Sequence, residues 1–200
     1  MCGRFALTAS KEELAEAFQI SVEADMAPRY SIAPTQTSLV ILNTQPSLAQ
    51  PVFWGLKPQW FKPEQEKAVL NNVRAENLRE KKTFHPHLKK RRCLVLASGF
   101  YEWQATKEGK QPFYIRLKNN HPFLFAGLWS EDRMAGVLMQ TFAIITTTPN
   151  LLMRPIHDRM PVIVSLSEGK KWLAAPDLNL LEPFSPENMV AYPVGKELKR

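Results

Sequence analysis

The sequence predicts an α+β fold, a single domain over residues 1–200 built on a largely antiparallel β-sheet or open barrel with a few flanking helices. Three observations carry that expectation. Seven short segments are rich in β-branched and aromatic residues and bounded by Pro, Gly, Asn or Ser, as strands are. Only two segments space apolar residues at a helical period behind capping signals. No internal repeat, low-complexity stretch or linker divides the 200 residues, a length that suits one domain with a sizeable core.

In chain order, "TASKEELAEAFQI" reads as the early helix. Ser10 is placed to cap it with Glu13 three residues on, and Leu14, Ala17 and Phe18 make its apolar face. "SLVILN" and "AQPVFWGL" follow as strands, and "NVRAENLREKKTF" has room for a helical turn or two. "CLVLASG", "PFYIRLK", "PFLFAGLW", "TFAIITTT" and "MPVIVSL" complete the strand set. Several are apolar on both faces, which suits a sheet buried between layers. The second helix is expected at "SLSEGKKWLAA", with Ser167 as its cap and Trp172 and Leu173 facing the core.

Composition narrows the class. Two cysteines, Cys2 and Cys93, are too few for a disulfide framework and fit a reducing compartment. "MCGRFALTAS" lacks the layout of a signal peptide, and no apolar run approaches the roughly 18 residues of a membrane span. A cytoplasmic, membrane-free protein is the expectation. The net charge of +7 suits an acidic partner such as nucleic acid, or simply a basic surface. Its cations concentrate in the first half, with Arg4, Arg29, Arg74, Arg79 and the run Lys89-Lys90-Arg91-Arg92.

Four stretches place polar residues in apolar surroundings: "MCGRF", "NNVRAEN", "SGFYEW" and "IHDRMP". Cys2 directly follows the initiator, and trimming of Met1 would leave an amine and a thiol on adjacent carbons. Such a 1,2-aminothiol condenses with an aldehyde to an imine and closes to a thiazolidine. An amine of pKa about 7.7–8.0 and a thiol of about 8.5 both supply reactive fractions near neutrality. The alternative is an accidental semi-buried cysteine. Glu102, at the end of an apolar strand among Phe100, Tyr101 and Trp103, would be desolvated toward a pKa useful in proton transfer, or else exposed and paired with a lysine. His157 is a candidate acid, base or donor, unless Asp158 and Arg159 hold it in a structural turn. Asn72 could orient an amine or be a turn residue. His85 and His87 lack partners at zinc spacing, so no metal site is expected, and Cys93 reads as a buried strand residue.

Together these stretches resemble the SOS response-associated peptidase (SRAP) family of abasic-site processing proteins. The order and spacing of "MCGRF", "RYSIAPTQ", "FWGLKPQW", "NNVRAENL", "RRCLVLASGFYEW", "FAGLW" and "IHDRMPVIV" carry the resemblance, from Met1 to about Val164. It implies covalent capture of the ring-opened aldehyde of abasic sites in single-stranded DNA, during the DNA damage response, by a monomer without metal or bound cofactor. It implies that Cys2 supplies both nucleophiles, Glu102 shuttles protons, His157 assists opening of the sugar ring and Asn72 positions the amine. The peptidase label would mean removal of its own Met1, which a methionine aminopeptidase could equally perform. DNA contacts are implied for Arg4, Arg74, Arg91 and Arg92 at phosphates and for Trp60 or Phe61 stacking beside the lesion, whereas Trp54 reads as core. Ser31 stands where the family usually has asparagine, and after "YPV" the chain ends sooner than the family pattern, a shortened C-terminal segment. A cysteine-dependent amidohydrolase and a non-catalytic single-strand-binding module are the alternative functions.

Overall fold

A computed structural model describes residues 2–23, 27–57, 69–134 and 137–197. The order of elements is β1 (Phe5–Leu7), α1 (Lys11–Phe18), β2 (Ser21–Val22), β3 (Arg29–Ile32), β4 (Thr37–Leu42), β5 (Leu48–Trp54), β6 (Asn72–Arg74), α2 (Ala75–Glu80) and α3 (His85–Lys90). There follow β7 (Arg92–Ala97), β8 (Gly99–Thr106), β9 (Gly109–Leu117), β10 (Phe123–Met134), β11 (Val137–Thr147), β12 (Met160–Pro161), β13 (Ile163–Val164), α4 (Leu166–Ala174) and β14 (Met189–Pro193).

Two sheets organise these strands. Antiparallel ladders link β5, β4, β7, β10 and β11 in that order. The ring closes because β11 also runs parallel to β5, with Thr141 opposite Phe53 and Phe142 opposite Trp54. The expected open barrel is thus a closed one, and closure leaves no free edge between these strands. β6 adds to β11 in parallel, placing Asn72 opposite Ile144. The second sheet has the order β14-β9-β8-β1-β3.

Strand patterning follows the layers. All six residues of β7 are buried, because one face looks into the barrel and the other lies under α4. Trp172 of α4 donates its indole N–H toward the carbonyls of Cys93 and Gly127, at 3.2 and 3.3 Å. α1 starts with a complete capping box between Ser10 and Glu13, as its sequence predicts, and buries Leu14 and Phe18. α4 also starts with a capping box, but its cap is Ser165 with Glu168 rather than Ser167. Only Ser165 has a glutamate at the third helical position able to return the bond.

The core fixes the chain start. Phe5 packs edge-on against Phe125, with ring centroids 5.9 Å apart, and at 5.0 Å from Trp54. Trp54 in turn stacks on Phe142 and is fully buried, donating its indole N–H to the carbonyl of Asn71 at 2.8 Å. A β1 strand of three residues is thereby anchored to the barrel, and the residues just before it inherit a defined position.

Candidate active site

Cys2 lies three residues before the first residue of this anchored strand and is fully buried. Asn72, the first residue of β6, donates from Nδ2 to the carbonyl oxygen of Cys2 at 2.8 Å, across 70 residues of sequence. With Nδ2 engaged, the amide oxygen of Asn72 is left buried and without a hydrogen-bond partner. Burial, and then the negative charge of Glu102, push the Cys2 thiol well above its usual pKa, while the chain's α-amino charge and a contact to the Arg4 carbonyl pull it down.

Glu102 belongs to β8, a strand of its own that the sequence pattern does not separate from β7. After Ala97 the chain turns at Ser98 into the second sheet, so Glu102 lies mid-strand opposite Phe113 rather than at a strand's end. Alternation points it inward, and it is 1% exposed. Its burial fits the expected desolvated carboxylate and not the exposed one of the alternative.

His157 follows the turn at Asn150–Ile156, which the buried Asn150 side chain braces by accepting from the Met153 N–H at 3.0 Å and donating to the Phe184 carbonyl at 2.7 Å. The turn delivers His157 Nε2 to 3.7 Å from Glu102 Oε2. Nδ1 accepts the backbone N–H of Arg159 at 3.0 Å and lies 2.8 Å from the Asp158 carboxylate. One nitrogen therefore faces both a donor and an acceptor. In the neutral ring Nδ1 takes the Arg159 N–H and the proton resides on Nε2, toward Glu102; in the charged ring Nδ1 can donate to Asp158.

The pairing of Arg159 with Glu76 is absent from the sequence-based expectations, which name Arg159 only as a neighbour of His157. Arg159 grips Glu76 of α2 through both guanidinium nitrogens, at 2.6 and 2.9 Å, and donates to the Thr146 carbonyl at 2.6 Å. This bidentate pair ties the helix that follows Asn72 to the turn that carries His157, and holds the Glu76 carboxyl below its usual pKa. The pairing spans 83 residues, so no local motif announces it.

The predicted DNA contacts divide. Arg4 is half-buried and donates from Nη1 to Ser31 Oγ at 3.0 Å, so serine at that position still makes a contact beside the site. Arg74 is exposed at the end of β6, two residues from Asn72. Arg91 lies over the Trp129 ring, 5.1 Å from its centroid, at the far end of β7 from Ser98. Arg92 is not a phosphate contact. It is 3% exposed and spends its donors on the carbonyls of Leu88, Lys89, Trp172 and Leu173 at 2.7–2.8 Å, closing the C-terminal ends of α3 and α4. Trp60 and Phe61 lie outside the described residues. Among the described residues no group of three or more His, Cys, Asp or Glu side chains could hold a metal ion, and no helix is long and apolar enough to cross a membrane.

Fold and site together define a single-domain α+β protein whose buried second residue is held at its carbonyl by an amide and whose thiol feels a buried carboxylate that faces an imidazole. The chain belongs to the SOS response associated peptidase (SRAP) family, whose model matches residues 1–200. It is 39% identical over 207 residues to the abasic site processing protein YoqW of Bacillus subtilis (strain 168), covering 98% of this chain and 92% of that protein. It is 31% identical over 180 residues to the abasic site processing protein YedK of Escherichia coli (strain K12), covering 86% and 79%. Among solved structures, a crystal structure of a protein from Bacteroides thetaiotaomicron superposes with a TM-score of 0.87 at 28% identity, over 98% of this chain and 93% of that one.

Proposed function

We propose that the protein processes abasic sites by capturing them covalently in single-stranded DNA through Cys2, once Met1 has been removed. The observation that carries this reading is the convergence at the chain start. Asn72 holds the Cys2 carbonyl at 2.8 Å, and the buried Glu102 carboxylate acts on the thiol while facing His157. Membership of the family, and relatives named abasic site processing proteins, support the choice of substrate.

The chemistry follows from the groups present. The abasic sugar exchanges between a closed hemiacetal and an open aldehyde. The charged ring of His157, its Nδ1 donating to Asp158, can give its Nε2 proton to the ring oxygen as the ring opens, and the proton leaving the anomeric hydroxyl restores it. The neutral Cys2 amine adds to the aldehyde carbon, its N–H oriented by the free amide oxygen of Asn72. Glu102 takes the proton released by nitrogen and returns one to the departing hydroxyl, which leaves as water. The thiol then adds across the C=N bond: sulfur bonds to carbon, and the thiol proton passes through Glu102 to nitrogen. The net change is aldehyde plus aminothiol giving thiazolidine plus one water. Removal of Met1 is hydrolysis of one peptide bond and consumes one water.

The test is incubation with a single-stranded oligonucleotide bearing one abasic site, followed by a denaturing gel and intact mass spectrometry. A shifted band with the mass of Cys2-started protein plus DNA less one water is expected, and is lost in Cys2→Ala. A crosslink surviving Cys2→Ala, or none from protein shown to start at Cys2, would overturn the reading.

A further inference from the structure

We propose that the outer face of the five-stranded sheet is a track for the single-stranded DNA flanking the lesion, an inference that rests on the function proposed above. The chain has four tyrosines, and all four lie in the strands of this sheet. Tyr101, Tyr114 and Tyr192 stand directly opposite one another across β8, β9 and β14. Their rings form a continuous row, with centroids 4.9 Å apart for Tyr101–Tyr114 and 5.8 Å for Tyr114–Tyr192. The Tyr101 hydroxyl donates to the backbone carbonyl of Tyr30 at 2.8 Å, and the Tyr30 side chain is 70% exposed.

The face is cationic. Arg116, two residues from Tyr114 and so on the same side of β9, lies over the Tyr192 ring at 5.8 Å. Lys110 shares that parity, and Lys118 follows just beyond the strand. The five strands of the sheet contain a single carboxylate, Glu102, which points to the opposite face. Glu187 lies beside Lys118 at the margin. Burial raises the Tyr101 and Tyr114 phenols above the usual range, so neither of the two carries a negative charge near neutral pH.

The face is also continuous with the candidate site. Arg4 lies two residues from Cys2, and its carbonyl accepts the backbone N–H of Tyr101 at 2.9 Å. From β1 to β14 is three strand spacings, about 14 Å at roughly 4.8 Å each. Aromatic rings alternating with cations, without carboxylates, match a polymer that alternates π-faces with phosphates. A strand held at Cys2 would pass Arg4 and place flanking bases against Tyr30 and Tyr192, with phosphates at Arg116 and its neighbouring lysines.

The test uses oligonucleotides carrying a tetrahydrofuran abasic analogue, which has no aldehyde, so that binding is read without bond formation. Anisotropy titrations compare a 5-mer with a 15-mer, each centred on the analogue, for wild type and for Tyr192→Ala, Tyr192→Phe and Arg116→Ala. Wild type should bind the 15-mer at least about tenfold tighter. Tyr192→Ala should cut that ratio about fivefold while Tyr192→Phe keeps it, since a phenyl face still stacks. Arg116→Ala should lower the salt slope for the 15-mer by about one. Crosslinking of a true abasic 5-mer is measured in parallel. Wild type that crosslinks but shows equal 5-mer and 15-mer affinity, or variants with unchanged ratios, would overturn the track and leave the proposed function standing. Failure to crosslink would defeat both. A wild-type dimer that Tyr192→Ala dissociates in light scattering, with DNA affinity unchanged, would assign the face to a second copy and also overturn it.

Discussion

Replacing Arg92 by methionine separates a cation that holds the fold from one that holds DNA. The guanidinium donates to four main-chain carbonyls at 2.7–2.8 Å, two at the end of α3 and two at the end of α4. Hydrogen bonds from a charged donor contribute about 1.5–3 kcal/mol each when deleted singly. The four do not add. Nη1 serves two carbonyls, and burying the cation costs something, as its pKa pushed below the usual arginine value indicates. Methionine fills much of the volume but leaves buried carbonyls with no donor. The expected loss is about 3–5 kcal/mol, as for removal of one partner from a buried charged network. At roughly 2–4 °C per kcal/mol for a domain of this size, Tm should fall by about 10 °C. Urea unfolding and a thermal melt of Arg92→Met read the stability, and crosslink yield per folded molecule reads the DNA contact. A Tm shift below about 2 °C together with weakened DNA binding would refute this account and restore Arg92 as a phosphate ligand.

Burial, with Arg91 adding to it, lowers the His87 pKa from 6.5 to about 4. The unfolded chain binds this proton first, so the stabilisation is complete above about pH 6.5 and drains away toward pH 4, by about 3 kcal/mol at 1.36 per unit; urea titrations of wild type and His87→Leu across that window should show the steeper slope in wild type, and equal slopes would count against it. Gly99→Ala would drive a Cβ into the Tyr114 phenol, which should cost about 1–3 kcal/mol by overpacking and shift the tyrosine near-ultraviolet dichroism, whereas an unchanged melt would show that Tyr114 moves freely. Glu102→Gln removes the charge that raises the Cys2 thiol, so iodoacetamide should label Cys2 faster at pH 8 while abasic-site crosslinking slows at least about tenfold; faster crosslinking would show that the carboxylate only obstructs.

The sequence was most legible where one physical rule acted alone. The Ser10–Glu13 box specified α1, and the apolar runs specified the barrel strands with small errors at their ends. Glu102 was legible because a lone carboxylate among Phe100, Tyr101 and Trp103 has little chance of solvation. Arg92 was misread because its neighbours Lys89, Lys90 and Arg91 make a run that looks solvated, and burial of one of four cations depends on carbonyls 80 residues away. Ser167 displaced Ser165 in the reading although the box partner Glu168 lies three residues after Ser165. β1, β2 and β6 have two or three residues each, too short for any period to register, and owe their existence to partners already in place. The Arg159–Glu76 clamp and the tyrosine row are products of register, which pattern within one strand does not encode.

The electrostatics of Cys2 give the chain start an order of events. Burial and Glu102 raise the thiol, and the α-amino group lowers it. In the proposed reaction Met1 departs, and the amine then sits on the α-carbon of Cys2 itself, closer to sulfur than before. Charge interactions strengthen as distance falls, so this step lowers the thiol pKa at the moment the amine becomes available. The same carboxylate then opposes ionisation of the thiol while favouring protonation of the amine. A proton taken up by Glu102 relieves both effects at once. One buried carboxylate, fed by the amine and facing His157, can therefore keep the thiol quiet in the unprocessed chain and release it during capture. That dual role requires Glu102 to stay secluded, which its inward position on β8 provides.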